Sequence, residues 1–279
     1  MNKVGKKILK PTLVMMQKRS EFTKSDLKIY NYIINHKESI IYYSLTEMSD
    51  ACDVAEATIL RFFKKLEYKG FQDFKFMLAQ EISNSTEIEG EQNSIERIKH
   101  HMIQAIEDSA QVADEAVLEN IVDRLDEAHD IVIFGIGASG IAAMDMQNRL
   151  MRVGKQVQVV TDSHFQIMRA TTSSSETVVV AISLTGSTRD IVDSVKIASE
   201  NGATVITLTN HEKSPLTKYA DYVLLSAYKE HPLDSGSLIA KISQLYTIDL
   251  ICTGLAMKNM EQSKIVKMKI SENASGKLY

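Results

Sequence analysis

Five short runs of β-branched and aliphatic residues recur between Ile131 and Leu225, at 131–134, 157–160, 177–182, 204–209 and 222–225. Runs with no polar alternation read as strands covered on both faces, which is the environment of a parallel sheet between helices. Amphipathic segments to about Val153, to Thr172 and from Asp190 to Ser199 fill the first three gaps, and a long helical pattern runs from about Ser237 to Lys258. Strand and helix in alternation imply a doubly wound α/β parallel sheet, whose ligands sit beyond the C-terminal ends of the strands.

Two strand ends carry loops with chemistry. Thr177–Ile182 runs into Ser183-Leu184-Thr185-Gly186-Ser187-Thr188, four hydroxyls and a glycine ahead of a helix for which Ser187 or Thr188 is the expected cap. Free backbone N–H groups and the positive end of the helix dipole suit such a loop to an anion. The plainer alternative is a loop that only caps its helix. Ile131–Phe134 runs into Gly135-Ile136-Gly137-Ala138-Ser139-Gly140, with Asp162 at the end of the next strand. That spacing also fits a dinucleotide fold, with the carboxylate on a ribose hydroxyl. Hydroxyls on both loops favour one compact phosphomonoester instead, since charge-assisted hydrogen bonds contribute roughly 1.5–3 kcal/mol each.

The N-terminal section differs in charge and pattern. Residues 1–80 hold 14 Lys+Arg against 9 Asp+Glu, whereas residues 81–130 hold 3 against 14. Residues 1–20 are compatible with a short helix or an arm, and Leu27, Ile29, Tyr30, Ile33 and Ile34 share a helical face behind a Thr23 or Ser25 cap. Ser44–Cys52 and Ala55–Leu66, joined across Asp53-Val54, have the spacing of a helix-turn-helix. The second helix is expected to turn Glu56, Ala57, Thr58, Arg61, Lys64 and Lys65 outward and to pack Ile59, Leu60, Phe62, Phe63 and Leu66 inward or along its flank. In a DNA complex Thr58 and Arg61 would reach base edges in the major groove, and Lys64, Lys65 and Lys69 would hold phosphates.

Domain limits follow: a helix-turn-helix domain over 1–80, an acidic linker and connecting helices over 81–127, the α/β domain over 128–258 and a tail over 259–279. Asp249 interrupts the most apolar stretch, and no apolar run follows the Lys-rich start, so neither a membrane span nor a signal peptide is expected and the chain reads as cytoplasmic. Cys52 and Cys252, 200 residues apart with no His or Cys at ligand spacing, are expected in the core. Metal sites, nucleophilic triads and Walker loops find no support, and no cofactor is expected.

Thr46-Glu47-Met48-Ser49, Val54–Leu66 and Lys69–Lys75 resemble the DNA-binding domain of the RpiR-type bacterial transcription regulators. Three positions depart from the family pattern: Asp53 and Glu67 replace glycines, and Ala55 replaces the serine that caps the recognition helix. Residues 115–258 are similar to the sugar isomerase (SIS) domain, through Gly135-Ile136-Gly137-Ala138-Ser139 and Ser183-Leu184-Thr185-Gly186-Ser187-Thr188, in which Thr185 stands for the middle serine of S-x-S-G-x-T. The resemblance implies that Ser139, Ser183, Thr185 and Thr188 hold a sugar phosphate, with Gly137, Ala138 and Ser187 beside it. His164, after the second strand, and Lys241, early on the last helix, are further candidate contacts. The architecture implies a sugar-phosphate-responsive regulator, most similar to the NanR-type regulators of sialic acid catabolism that sense N-acetylmannosamine 6-phosphate. A homodimer or tetramer on a palindromic operator, with repression relieved by ligand, is the expected mode. The competing class is a SIS-type isomerase with an accessory helical domain; its base would come from His164, Glu230 or His231, none of which a loop motif places.

Overall fold

The computed structural model describes residues 10–83, 94–227 and 238–276. They divide into two compact units, residues up to Ser83 in the first and residues from Ser94 onward in the second.

The first unit is all helical: α1 (Pro11–Gln17), α2 (Lys24–Asn35), α3 (Lys37–Ile40), α4 (Leu45–Cys52), α5 (Glu56–Lys65) and α6 (Phe71–Ser83). Local chemistry sets the helix starts. Pro11 opens α1, and capping boxes join Thr23 with Asp26 on α2 and Ser44 with Glu47 on α4. The periodic apolar faces converge on Met15, Ile29, Ile33, Ile40, Met48, Ile59, Phe62, Phe63, Phe74 and Leu78, all essentially inaccessible. Burying each such side chain contributes about 1.5–3 kcal/mol. Lys75 is buried among them and donates to Tyr43 O at 2.7 Å, so its ammonium is hydrogen-bonded inside the core.

The second unit opens with α7 (Ser94–Val112) and α8 (Glu115–Glu127), separated where Asp114 caps α8 through Val117 N. Then come β1 (Asp130–Phe134), α9 (Ala138–Arg152), β2 (Val157–Val160), α10 (Ser163–Thr171), β3 (Thr177–Ile182), α11 (Arg189–Glu200), β4 (Thr204–Thr209), β5 (Tyr222–Leu225), α12 (Leu238–Lys258) and α13 (Met260–Ser275). All five strands pair in parallel, in the order β2-β1-β3-β4-β5. Alternate residues face opposite layers: Ile131, Ile133, Val178, Val180, Ile206 and Leu208 pack under α8, α9 and α12, while Val132, Phe134, Val179, Ala181 and Val205 pack under α10 and α11. The doubly wound reading of the sequence therefore holds strand by strand.

Two features differ from the expected plan, and a third bears on the expectation of no membrane span. The connecting helices α7 and α8 belong to the second unit, because α12 lies along both and Ala105, Ser109, Ile121 and Leu125 are buried there. Residues 259–279, expected as a tail, contain α13, whose Ser263 is buried. Finally, α12 is long and apolar enough to cross a bilayer by length and composition. Here its Ile239, Ala240, Ile248, Ile251, Cys252 and Leu255 are buried in the protein, where α12 packs on α7, α8 and α9.

Candidate ligand site and DNA-recognition helix

Strands β1 and β3 are neighbours, yet the chain leaves them for opposite layers, β1 for α9 and β3 for α11. The crevice beyond their C-terminal ends is the switch point of the sheet, and both sequence-identified loops open there. On the first, Gly137 occupies the N-cap of α9 at φ 59 and ψ −127, a conformation that favours glycine. Ala138 and Ser139 begin the helix; Ser139 is 9% exposed, and its Oγ accepts a hydrogen bond from Gln244 Nε2 on α12 at 2.9 Å.

On the second loop Ser183 is 3% exposed; its backbone N donates to Leu208 O and its carbonyl accepts from Gly186 N. Gly186 turns the chain at φ 57, and a Cβ there would lie 2.6 Å from Ser214 Cβ. Thr185 Oγ1 accepts from Ser187 N at 3.3 Å, and Ser187 Oγ donates to Thr185 O at 3.0 Å. The β4 side holds the loop in place: Thr209 Oγ1 and Asn210 N donate to Leu184 O, and Leu216 N donates to Gly186 O. Thr188 is exposed at the N-cap of α11, but its side chain makes no cap bond. The expected capping by Ser187 or Thr188 is thus corrected: the Ser187 hydroxyl closes the loop on itself, and the amide end of α11 lacks a side-chain cap.

The remaining expected contacts are placed less centrally. His164 is exposed in the first turn of α10 rather than in a loop, and Asp162 caps that helix through His164 N and Phe165 N at 3.0 Å. Asp162 thereby has a structural role. Lys241 is half-buried on the first turn of α12, three residues before Gln244. Glu230, His231 and the Ser235–Ser237 approach to α12 lie outside the described residues. Among the described residues no cluster of His, Cys, Asp and Glu could hold a metal ion. Both cysteines are buried, and desolvation pushes the Cys52 thiol up to about 11 and that of Cys252 to about 12.

In the first unit α4 and α5 form the expected helix-turn-helix. Asp53 and Glu67 adopt φ 52 and 70, the left-handed conformation usual for glycine. Val54 N reaches Ser49 O and Tyr68 N reaches Phe63 O, the return bonds that close such helix ends. Lys28 pairs with the exposed Asp53 carboxylate at 2.7 Å, and this hydrogen bond lowers the Asp53 pKa. Ala55 stands at the N-cap of α5 with no side-chain bond. Thr58 and Arg61 share one face, their side chains bonded at 3.2 Å, and Lys64 and Lys69 are exposed.

Three expectations for this helix are corrected. Lys65 does not project freely: its Nζ donates to Glu21 O and, at 3.1 Å, to Asp26 Oδ2, beside the Phe22 ring. Glu56 is half-buried and accepts from Thr46 Oγ1 across the turn. Leu60, assigned to packing, is 37% exposed on the outer face. Desolvation pushes the Asp26 carboxyl up, but hydrogen bonds from Thr23 and Lys65 outweigh it and hold Asp26 below its ordinary value.

Residues 12–85 match the helix-turn-helix domain of the rpiR family, and residues 124–254 match the SIS domain. An uncharacterised HTH-type transcriptional regulator of Haemophilus influenzae is 35% identical over 82% of this chain and 84% of its own. This chain belongs to the RpiR family of transcriptional regulators. Escherichia coli RpiR is 25% identical over 91% of this chain and 89% of its own. The structure of Vibrio vulnificus NanR complexed with ManNAc-6P superposes with a TM-score of 0.89 at 25% identity, covering 96% of this chain and all of that one. As an RpiR-family regulator, the protein combines a DNA-binding helix-turn-helix with a sugar-binding SIS domain.

Sequence reasoning missed Gln244 as a neighbour of Ser139, and Thr209, Asn210 and Leu216 as the second loop's anchors. The available signal for Gln244 was a polar run, Ser243, Gln244 and Thr247, on the buried face of an otherwise apolar helix.

Proposed function

We propose that this RpiR-family regulator is a repressor of an amino-sugar catabolic operon, released by N-acetylmannosamine 6-phosphate or a closely related hexosamine 6-phosphate. The observation that carries the reading is the meeting of two hydroxyl-bearing loops at the switch point between β1 and β3. It occurs in a chain that follows the ManNAc-6P-complexed NanR over 96% of its length. Ser139, Ser183, Thr185 and Thr188 surround the phosphate, with the uncapped amide ends of α9 and α11 opposing its charge. Gly137, Ala138 and Ser187 form the loop walls, and His164 and Lys241 approach the sugar and phosphate. The protein acts as a homodimer or larger homo-oligomer, so that two copies of α5 address the half-sites of a palindromic operator, with Thr58 and Arg61 on base edges and Lys64 and Lys69 on phosphates.

The effector moves this equilibrium only by the difference in its affinity for the DNA-bound and free forms. The test is calorimetric titration with N-acetylmannosamine, N-acetylglucosamine and glucose 6-phosphates, alongside operator gel shifts and assay of the recovered sugar. Saturable binding of one unchanged sugar phosphate, with loss of operator complex, is expected. Ser183→Ala with Thr188→Ala should abolish that response while leaving operator affinity intact. Absence of sugar-phosphate binding, or conversion of the sugar, refutes the reading.

A further inference from the structure

Gln244 is 1% exposed in the middle of α12, and its two amide atoms are treated differently. Nε2 donates to Ser139 Oγ at 2.9 Å, whereas Oε1, equally buried, has no hydrogen-bond partner. Packing alone does not account for a glutamine here. Ala240, Ile248 and Ile251 line the buried face of the same helix, and an apolar side chain of similar volume would remove the unpaired acceptor.

What the amide does accomplish is directional. A serine hydroxyl has one proton and two lone pairs. With Nε2 toward it, Ser139 Oγ accepts from Gln244 and its proton is free for another acceptor. With the amide reversed, Oε1 would take that proton and Ser139 would offer an approaching anion only lone pairs. We propose that Gln244 is a positioning residue that holds the Ser139 hydroxyl as a donor toward an anionic ligand in the β1 loop. The proposal rests on the phosphate reading of the two loops.

The experiment uses the full chain carrying Gln244→Met, Ser139→Ala, both together, or Gln244→Glu, each titrated calorimetrically with inorganic phosphate and with N-acetylmannosamine 6-phosphate. Thermal melting without ligand accompanies each titration. Gln244→Met is expected to weaken both probes about two- to tenfold, the range of one net hydrogen bond. Ser139→Ala should give a similar loss, and the double variant no more than the worse single one. Gln244→Glu, which accepts the Ser139 proton, should weaken binding further than Gln244→Met. A purely structural glutamine would instead lower the melting temperature and leave both affinities unchanged. Wild-type affinity in Gln244→Met, or losses that multiply in the double variant, overturns the positioning role while the phosphate site stands. A wild-type protein that binds neither probe overturns the site and the role together. Should Gln244→Met fail to fold, Gln244→Leu carries the same comparison.

Discussion

Replacing Gly186 by alanine tests whether the second loop is rigid by construction. At φ 57 an L-residue sits in the left-handed region, at a cost of about 1–2 kcal/mol. The added Cβ would also meet the Ser214 side chain, 2.6 Å from its Cβ, and stand 3.2 Å from Thr209 Oγ1. Ser214 has no room to withdraw: it is fully buried, its N donates to Thr217 Oγ1 at 2.9 Å, and its Oγ accepts from Thr217 N at 3.3 Å. Overpacking of this kind costs about 1–3 kcal/mol. Gly186→Ala should therefore destabilise the α/β unit by about 2–5 kcal/mol, a fall in melting temperature of about 5–15 °C for a unit of this size. Urea unfolding followed by circular dichroism measures the difference. Ser214→Gly in the Gly186→Ala background separates the two contributions, since removing both the Oγ and the Cβ relieves the overlap and leaves the backbone strain; Ser214→Ala, which removes the nearer Oγ but keeps the Cβ at 2.6 Å, should recover less. A loss below about 0.5 kcal/mol, or no recovery with Ser214→Gly, would refute the claim that the β4 loop braces this turn.

Arg61→Ala is expected to weaken operator binding about 10- to 100-fold in a gel-shift titration, the range of one bidentate base contact. Lys64→Ala should lower affinity for all sequences alike and reduce the salt dependence of log K by about one ion. Lys65→Met should change DNA affinity less than Lys64→Met does, and it should alter acid stability instead. Asp26 has a depressed native pKa, so its contribution is present above the unfolded value near 3.9 and disappears as pH falls through the lower native value; acid unfolding curves of Lys65→Met should show less of that dependence. Ala55→Ser supplies the missing cap of α5 and should stabilise the helical unit by about 1 kcal/mol in thermal melts.

The sheet was legible because its signal is local. Unbroken β-branched runs occur where both faces of a strand are covered, and the alternating burial of Val178, Val179, Val180 and Ala181 under opposite helix layers shows why none of those positions is polar. The two loops were legible for a related reason: a strand end followed by glycine and hydroxyls is a short-range pattern. The backbone required at Asp53 and Glu67 could also be read from the family's glycines, and both residues adopt the left-handed conformation without one.

What periodicity could not reveal was the partner of a side chain that crosses between elements. Lys65 falls on the outward arc of α5 by helical spacing, yet its four-carbon stem reaches Asp26 on α2 and the carbonyl of Glu21, 39 and 44 residues away. Gln244 carries the same lesson at the candidate ligand site, where its donor to Ser139 spans 105 residues. The two loops are consequently supported by different parts of the unit. The β3 loop is bonded to the β4 strand end through Leu184 and to the segment that follows β4 through Gly186, so the sheet and that segment carry it. Ser139 is instead bonded to α12, the helix that also packs on α7 and α8. A ligand that grips both loops therefore acts between a sheet-borne anchor and a helix-borne one.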